Sequence, residues 1–377
     1  MDAKSSLNGV AFSDRQNHVV GALRAEIVSG VFKPGSRMPS HLQLVNRFGV
    51  SGVTVQHALN QLIRDGFLYS LPRKGTFVAP DPPHLTHYAV TFHAQPTEPA
   101  EWQQFWIALG HEGVALQQAG DRRLSLFYGI HGWRHGADYD RLVELVSRHM
   151  LAGIIFTSDP HHLMGTPLFT EPNIPRVAIT PGTYPGVVSV ELDSFTLWQR
   201  IGELLEAEGL RRLGLVTTPT YPNSQFCACM ARRGIEVRPE WMQAVRVEDA
   251  EWAGNAARMM MQTARRRRPD VVFIADDNLV PHATAGIAAS GTAVPDEVRV
   301  IAHANFPWPT SCSVPARRIG YDDRLILSTC VHTIDQMRAG QDVPPRIAIE
   351  AAWEDEVNGS SESKNRNSEF RAANAVV

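Results

Sequence analysis

The chain has 377 residues, of which 44% are hydrophobic and 20% are charged, a composition typical of a globular protein with two or three domains. No apolar run is long enough to span a membrane and no secretory signal pattern opens the chain, so we expect a cytoplasmic protein. The net charge of −3 is unevenly divided, with +5 over residues 1–80 and −8 over the remainder. A basic segment joined to an acidic body is typical of a nucleic-acid-binding module attached to a domain of another kind.

The first 80 residues predict three helices followed by a β-hairpin. Helical periodicity over Arg15–Ser29 is followed by a short helix after Ser40 and by a third helix over Ser51–Arg64. The last two helices are joined by a tight glycine-containing turn, which predicts a helix-turn-helix. The next residues predict two short strands, Phe67–Ser70 and Thr76–Ala79, around a basic loop. This hairpin has the form of a wing.

These elements carry a resemblance to a known family. The segments LRAEIVSGVFKPGSRMPS, LVNRFGVSGVTVQHALNQLIRDGF and KGTFV resemble the winged helix of the GntR family of bacterial transcription factors. The resemblance implies an α+β winged helix-turn-helix domain over residues 11–80 that binds double-stranded DNA. Gly52 and Gln56 occupy positions where the family usually has arginine.

The recognition helix and its surroundings supply the predicted DNA contacts. Gln56 can pair bidentately with adenine, and the methyl groups of Val53 and Thr54 suit a thymine methyl. Gly52 and His57 lie in the same first turns, where a helix-turn-helix meets base edges. For each residue alone, the alternative is an ordinary solvated side chain. Cations and small donors around the motif are expected to bind phosphates without reading sequence, and these are Arg37, Ser40, Arg47, Ser51, Arg73, Lys74 and Gly75.

The pattern changes beyond residue 80. Residues 81–86 predict a stiff, extended linker, because a residue that precedes a proline is pushed out of the helical region. Over residues 87–354, apolar β-branched runs alternate with helical patterns, which predicts parallel sheets covered on both faces. Such a length favours two lobes rather than one sheet. Residues 355–377 are polar and small, and predict a disordered tail.

The long second segment carries another resemblance. LAGIIF, RRLGLV, PDVVFIADDNLVPHATAGIAASG and VPDEVRVIAHAN follow one another in the order seen in the effector-binding domain of the LacI family. That family shares the periplasmic-binding-protein fold, so the resemblance implies a two-lobed α/β domain with a ligand cleft between the lobes. The arrangement of the two segments is similar to that of the arabinose repressors, which implies a sugar or a related metabolite as the ligand.

Ligands of such folds bind at the carboxyl ends of the strands. Aromatic side chains there can stack on a sugar ring, and carboxylates or amides can bind its hydroxyl groups. The alternative is that the aromatic residues belong to a helix core and that Asp193 only caps a helix. The predicted ligand contacts are His93, Gln95, Trp102, Trp106, Asp193, Asp277, Asn278 and Asn305.

We therefore expect a sequence-specific transcriptional regulator, most simply a repressor, that binds a palindromic operator as a homodimer and responds to a small effector. One alternative is a constitutive DNA-binding protein whose α/β body only dimerises, and another is an α/β enzyme with a DNA-binding head. The sequence contains no GxSxG, HExxH, P-loop or dinucleotide-binding motif, so we expect neither an enzyme nor a cofactor. The four cysteines lack metal-site spacing, which predicts no metal.

Overall fold

The computed structural model describes residues 3–97, 103–120 and 122–359, with side chains from residue 14 onward except at residue 119. None of the helices in these ranges is both long and apolar enough to cross a membrane. The helix and strand bounds of the DNA-binding domain are α1 Ala3–Val28, α2 His41–Phe48, α3 Gly52–Arg64, β1 Leu68–Leu71 and β2 Gly75–Val78. The apolar sides of these elements meet in one core, in which Leu23, Leu44, Val55 and Leu62 are fully buried. Strands β1 and β2 pair antiparallel and form the wing.

A short helix follows the DNA-binding domain, where we predicted an extended linker. Helix α4 covers Pro83–Thr86, so the prediction for residues 81–86 is wrong for its last four residues. Pro82 is extended, as its position before a proline requires, but Pro83 occupies the first turn of α4, where the missing N–H costs nothing. His84 is buried and stacks on Phe67, with ring centroids 5.7 Å apart, so burial of this side chain favours the helical turn.

The remaining chain forms two α/β lobes. The N-lobe contains a six-stranded parallel sheet in the order β13-β7-β6-β5-β3-β4, and the C-lobe contains one in the order β14-β12-β11-β10-β8-β9. The sheet of the C-lobe is parallel except for the pairing of β12 with β14. The N-lobe elements are β3 His87–Thr91, α5 Gln104–Ala119, β4 Arg123–Phe127, α6 Ala137–Ser147, β5 Gly153–Phe156, α7 Pro167–Thr170, β6 Arg176–Ile179, β7 Val188–Asp193, α12 Asp323–Arg338 and β13 Arg346–Glu350. The C-lobe elements are α8 Ser194–Ala207, β8 Leu213–Thr217, α9 Asn223–Ala231, β9 Met242–Ala244, α10 Trp252–Met261, β10 Val271–Ile274, α11 Val280–Ala289, β11 Arg299–Phe306, β12 Arg317–Asp322 and β14 Ala352–Trp353.

The chain crosses between the lobes three times, after β7, after β12 and after β13. Strands such as β5 and β10 are buried along their whole length, because helices cover both faces of each sheet. The predicted two-lobed parallel α/β fold is therefore confirmed. Strands β9, β13 and β14 had not been predicted; β9 and β14 are short, and β13 alternates exposed and buried residues at a sheet edge.

The ordered part of the second domain extends past residue 354. Residues 354–359 are helical, and Val357 is buried against Phe306 and Ala304. The predicted disordered tail therefore begins too early, because burial of Val357 stabilises this turn. Residues 360–377 of that tail lie outside the described residues.

Candidate functional site

Two serines fix the starts of the helix-turn-helix. Ser40 caps α2, accepting from the Gln43 backbone N–H at 3.4 Å while its own N–H donates to Gln43 Oε1 at 2.8 Å. Ser51 Oγ caps α3 by accepting from the Thr54 backbone N–H at 3.2 Å. Thr54 is buried, and its hydroxyl lies 2.8 Å from Ser51 Oγ. The predicted thymine contact of Thr54 is therefore corrected to a role in the helix cap.

The exposed face of α3 begins with Val53 and Gln56. Val53 is 60% exposed, and Gln56 Nε2 donates to Asn60 Oδ1 at 3.0 Å on the helix surface. His57 is also exposed. Asn60 was missed by the sequence analysis, although its spacing of four residues from Gln56 is the signal that places both on one helix face.

Gly52 lies where α2 approaches α3. His41 Nε2 is 2.9 Å from the Gly52 carbonyl oxygen, and a Cβ atom at residue 52 would lie 2.9 Å from His41 Cε1. A side chain at residue 52 would require the exposed His41 ring to shift. Gly52 therefore packs against a neighbouring helix rather than offering a side chain to a base.

The wing presents cations to solvent. Arg73 and Lys74 lie at its exposed tip, and the turn contains positive φ angles of 63° at Arg73 and 111° at Gly75. The Arg37 side chain lies against Gly75, since an added Cβ there would be 3.1 Å from Arg37 Nε. Arg37, Arg73 and Lys74 make no ion pair with any residue that the structure describes. They form an exposed basic patch at the wing.

Arg47 differs from these three cations. Its guanidinium forms an ion pair with Glu26, with 3.0 Å between Nη1 and Oε2, and this hydrogen bond raises the pKa of Arg47. Arg47, a predicted phosphate contact, is thus already paired with a carboxylate of its own domain.

A cavity of about 860 Å³ lies between the two lobes. The residues of its N-lobe wall come after strands β3 and β4 in the sequence, and those of its C-lobe wall come after β8, β9 and β10. The cavity therefore lies at the carboxyl ends of parallel strands, as predicted. The N-lobe residues are His93, Gln103, His131, Trp133 and Arg134, and the C-lobe residues are Thr218, Pro219, Thr220, Arg246, Val247, Glu248 and Asp276.

The N-lobe wall combines imidazole and indole rings. Trp133 is 72% exposed, and its ring centroid lies 5.0 Å from that of His131 and 5.1 Å from that of His162. His93 Nδ1 lies 3.2 Å from Ser158 Oγ, and burial with the charges of His131 and His162 lowers the pKa of His93 to about 4. His93 is therefore neutral near pH 7, when its ring can both donate and accept hydrogen bonds.

Trp106 lies behind this wall rather than in it. Its indole is buried and meets the His93 ring edge-on, with centroids 4.4 Å apart. The expected ligand stacking of Trp106 is therefore corrected to a role in orienting His93. The exposed Gln95 side chain lies against Gly129 and does not line the cavity, and Trp102 lies outside the described residues.

The three polar residues in the turn after β10 have different roles. Asp276 lines the cavity, whereas Asp277 is buried and accepts a hydrogen bond from the buried Asn305 amide. Asn278 Oδ1 accepts from the backbone N–H of Gln104 at 3.0 Å, across the boundary between the lobes. Asp277, Asn278 and Asn305 were predicted ligand contacts, and the structure instead places them in the packing around the cavity.

Asp193 caps α8. Its Oδ1 accepts from the backbone N–H groups of Phe195 at 2.9 Å and Thr196 at 3.2 Å, which is the helix cap expected as the alternative to a ligand contact. It also lines a separate cavity of about 750 Å³, with Trp198 and Arg232. Of the seven predicted ligand residues that the structure describes, His93 lines the cavity between the lobes. His131, Trp133, Thr218 and Arg246 were missed, although each follows a strand closely in the sequence.

Comparisons with known proteins agree with this division of the chain. Residues 15–78 match the family model described as bacterial regulatory proteins, gntR family, and residues 203–349 match a periplasmic binding protein-like domain. The arabinose metabolism transcriptional repressor of Geobacillus stearothermophilus is 24% identical over 305 residues, which cover 76% of this chain and 81% of that protein.

Two further relatives each resemble one part of the chain. The histidine utilization repressor of Klebsiella aerogenes is 45% identical over 58 residues, 15% of this chain and 24% of that protein, so the chain spans about a quarter of its length. The crystal structure of a LacI family transcriptional regulator from Lactobacillus casei, with bound glucose, has a TM-score of 0.52 and 16% identity, covering 71% of this chain and 98% of that one. The latter likeness concerns the fold. The chain is thus a DNA-binding transcriptional regulator in which a GntR-type winged helix is joined to a two-lobed periplasmic-binding-protein-like domain.

Proposed function

We propose that the protein is a repressor that binds a palindromic operator as a homodimer in the cytoplasm and that a sugar or sugar-like effector in the interlobe cavity controls operator affinity. The observation that carries this proposal is the cavity between two lobes at the carboxyl ends of their strands, on the same chain as a winged helix with an exposed basic patch. The names of its relatives, which include a repressor of arabinose metabolism and a regulator with bound glucose, support the choice of a sugar.

The walls of the cavity suit a polyhydroxylated ring. The exposed Trp133 indole offers a flat face for the C–H side of a sugar ring, as aromatic side chains bury large apolar areas. Opposite it, Thr218, Thr220 and Asp276 offer hydroxyl and carboxylate groups for the sugar hydroxyls. A ligand that contacts both walls favours the closed arrangement of the lobes, because it binds that arrangement more tightly.

Two DNA contacts have separate roles in this proposal. Gln56 is expected to read a base edge from the exposed face of α3, while Arg37, Arg73 and Lys74 are expected to bind phosphates. A coupling free energy of about 1–3 kcal/mol between effector and DNA would change operator affinity roughly 5- to 150-fold, which suffices for a genetic switch.

The test begins with selection of duplexes from a random DNA pool by the purified full chain. We expect a palindromic consensus and a fall in affinity with salt, because phosphate contacts release counterions. L-arabinose, D-glucose and other pentoses and hexoses are then titrated against the protein in thermal melting and against the complex with the selected duplex. A sugar at 100 times its Kd is expected to add about 2.7 kcal/mol to stability.

Three results would contradict the proposal. If no sequence is enriched over the starting pool, the protein does not bind DNA sequence-specifically. If no sugar alters the melting temperature or the DNA affinity, the protein is a constitutive DNA-binding protein. Conversion of a sugar to another compound at catalytic protein concentration would indicate an enzyme.

A further inference from the structure

Helix α6 joins the wall of the cavity to the DNA-binding domain. It begins at Ala137, just after the cavity residues His131, Trp133 and Arg134, and it ends at Ser147. Its 11 residues extend about 16 Å, at about 1.5 Å per residue. The residue that follows, Arg148, contacts the DNA-binding domain. One helix therefore has one end beside the cavity and the other end against the DNA-binding domain.

In the DNA-binding domain, the carboxylate of Asp65 forms hydrogen bonds with two arginines. Asp65 caps the C-terminus of the recognition helix α3, and its carboxylate accepts from Arg24 Nη2 at 2.7 Å and from Arg148 Nη2 at 2.6 Å. The Asp65 and Arg24 side chains are 11% and 8% exposed, so the bond between them is largely shielded from water, and the Arg148 side chain is 32% exposed. Charge-assisted bonds of this length are among the stronger polar contacts in proteins. Arg148 thus holds the end of α3 from the N-lobe.

Apolar contacts around this ion pair fix the orientation of the two domains. Met150 of the N-lobe packs against the core of the DNA-binding domain. The ring of Phe67, two residues after Asp65, stacks on His84 and has the Arg24 guanidinium 5.4 Å from its centroid. The end of α3 cannot move relative to α6 without disturbing packed side chains.

At the cavity, residues 128–136 are tied to the first turn of α6. The Tyr128 backbone N–H donates to Asp138 Oδ2 at 2.8 Å, and the His135 ring stacks on Tyr139 with centroids 4.0 Å apart. Gly132 in this loop is pressed against the neighbouring loop, because an added Cβ would lie 1.8 Å from the His162 carbonyl oxygen. Movement of the loop therefore moves the start of α6.

We propose that α6 transmits the state of the cavity to the recognition helix, with Arg148 as the positioning residue that carries the displacement to Asp65. Arg148 lines neither the effector cavity nor the DNA-contacting end of α3. The role of the effector in this coupling rests on the proposed function, since it requires that the ligand contact residues 131–134. The mechanical connection itself can be tested without DNA or sugar.

The test uses hydrogen exchange of backbone amides in the full chain, with Gly132→Ala as the perturbation. The added methyl must displace the loop from His162, and we expect amide exchange over residues 61–67 to change at least about fivefold, the lower end of typical coupling between sites. Gly110→Ala is the matched control, because Gly110 lies in helix α5 of the same lobe, outside residues 128–136, and no atom lies within 4 Å of the added Cβ. It should leave residues 61–67 unchanged.

The role of Arg148 is tested in the double variants. Arg148→Gln leaves the Arg24–Asp65 pair in place, so the DNA-binding domain keeps its internal contact. In this background we expect Gly132→Ala to lose its effect on residues 61–67. Asp140→Asn is the matched control, because Asp140 lies exposed on the same helix and makes no ion pair with any residue that the structure describes. There the effect should persist.

Two outcomes would overturn the proposal: unchanged exchange over residues 61–67 in Gly132→Ala, or the same change with and without Arg148. If Gly132→Ala unfolds the N-lobe, Trp133→Ala, which removes the ring contacts to His131 and His162, takes its place with the same readout. Absence of sugar-responsive DNA binding in the wild type would contradict the proposed function and leave this result standing.

Discussion

The indole N–H of Trp308 donates a 2.8 Å hydrogen bond to Glu112 Oε1 across the boundary between the lobes. Trp308 follows strand β11 of the C-lobe, and Glu112 lies on helix α5 of the N-lobe, where it is 8% exposed. His111 meets the same indole ring edge-on, with centroids 4.9 Å apart. Together with the Gln104–Asn278 bond, this contact holds α5 against the C-lobe in the observed arrangement of the lobes.

Loss of that donor should destabilise the second domain. Trp308→Phe keeps an aromatic ring but leaves the Glu112 carboxylate nearly buried without its partner, which should lower the free energy of unfolding by about 1–3 kcal/mol. Urea denaturation measures the change. Trp252→Phe, at a residue that is 59% exposed, is the control and should have an effect below about 0.5 kcal/mol. Equal midpoints for the two variants would contradict the importance of the Trp308–Glu112 bond.

Asp277 should destabilise the second domain as pH rises from about 4 to about 7, whereas His93, whose pKa is lowered to about 4, contributes in the opposite direction. Burial, with the charge of Asp276, raises the pKa of Asp277 from 3.8 to about 7, so the folded state keeps a proton that the unfolded state releases. Each pKa unit corresponds to about 1.4 kcal/mol. Asp277→Asn mimics the protonated acid and should remove the contribution of Asp277, so we expect the variant to gain more stability relative to the wild type at pH 8 than at pH 5. Burial also raises the pKa of nearby Asp323, so part of the slope should remain. Thermal melting at pH 5 and pH 8 measures it, and an unaltered slope would contradict the assignment to Asp277.

Gln56→Ala and Arg73→Ala should weaken DNA binding in different ways. Loss of the Gln56 amide should relax the preference at one operator position by about 1–3 kcal/mol, because it removes a base contact. Loss of Arg73 at the wing tip should weaken all sequences nearly alike and reduce the salt slope by about one. Binding to a panel of operator variants at several salt concentrations measures both effects. Identical profiles for the two variants would refute the separate roles.

A fragment that begins at residue 86 should sediment as a dimer at micromolar concentration. Reading a palindrome requires two DNA-binding domains at a fixed separation, and a dimer of the larger domain supplies it. Analytical ultracentrifugation measures the mass. The isolated residues 1–80 serve as the comparison, and we expect them to be monomeric and to bind DNA weakly with strong salt dependence. If the fragment is monomeric, dimerisation does not depend on the larger domain alone and the prediction is wrong.

The winged helix and the two-lobed fold could be predicted because their signals are local. Ser40 and Ser51 cap helices in a pattern that short sequence windows contain, and the buried strands β5 and β10 are continuous apolar runs. Helix α4 and the turn around Val357 were mispredicted, because burial of His84 and Val357 against distant residues outweighs local preference.

The identity of the cavity residues was decided by tertiary structure. Sequence pattern places Asp276, Asp277 and Asn278 together after a strand, but it does not say that Asp276 faces the cavity while Asp277 turns inward to Asn305 and Asn278 binds the other lobe. Likewise, Asp65 and Arg148 are 83 residues apart, and neither has a local signal for the other. The periodicity of one segment determines which residues are apolar and helical, whereas contacts across such distances depend on how complete lobes pack.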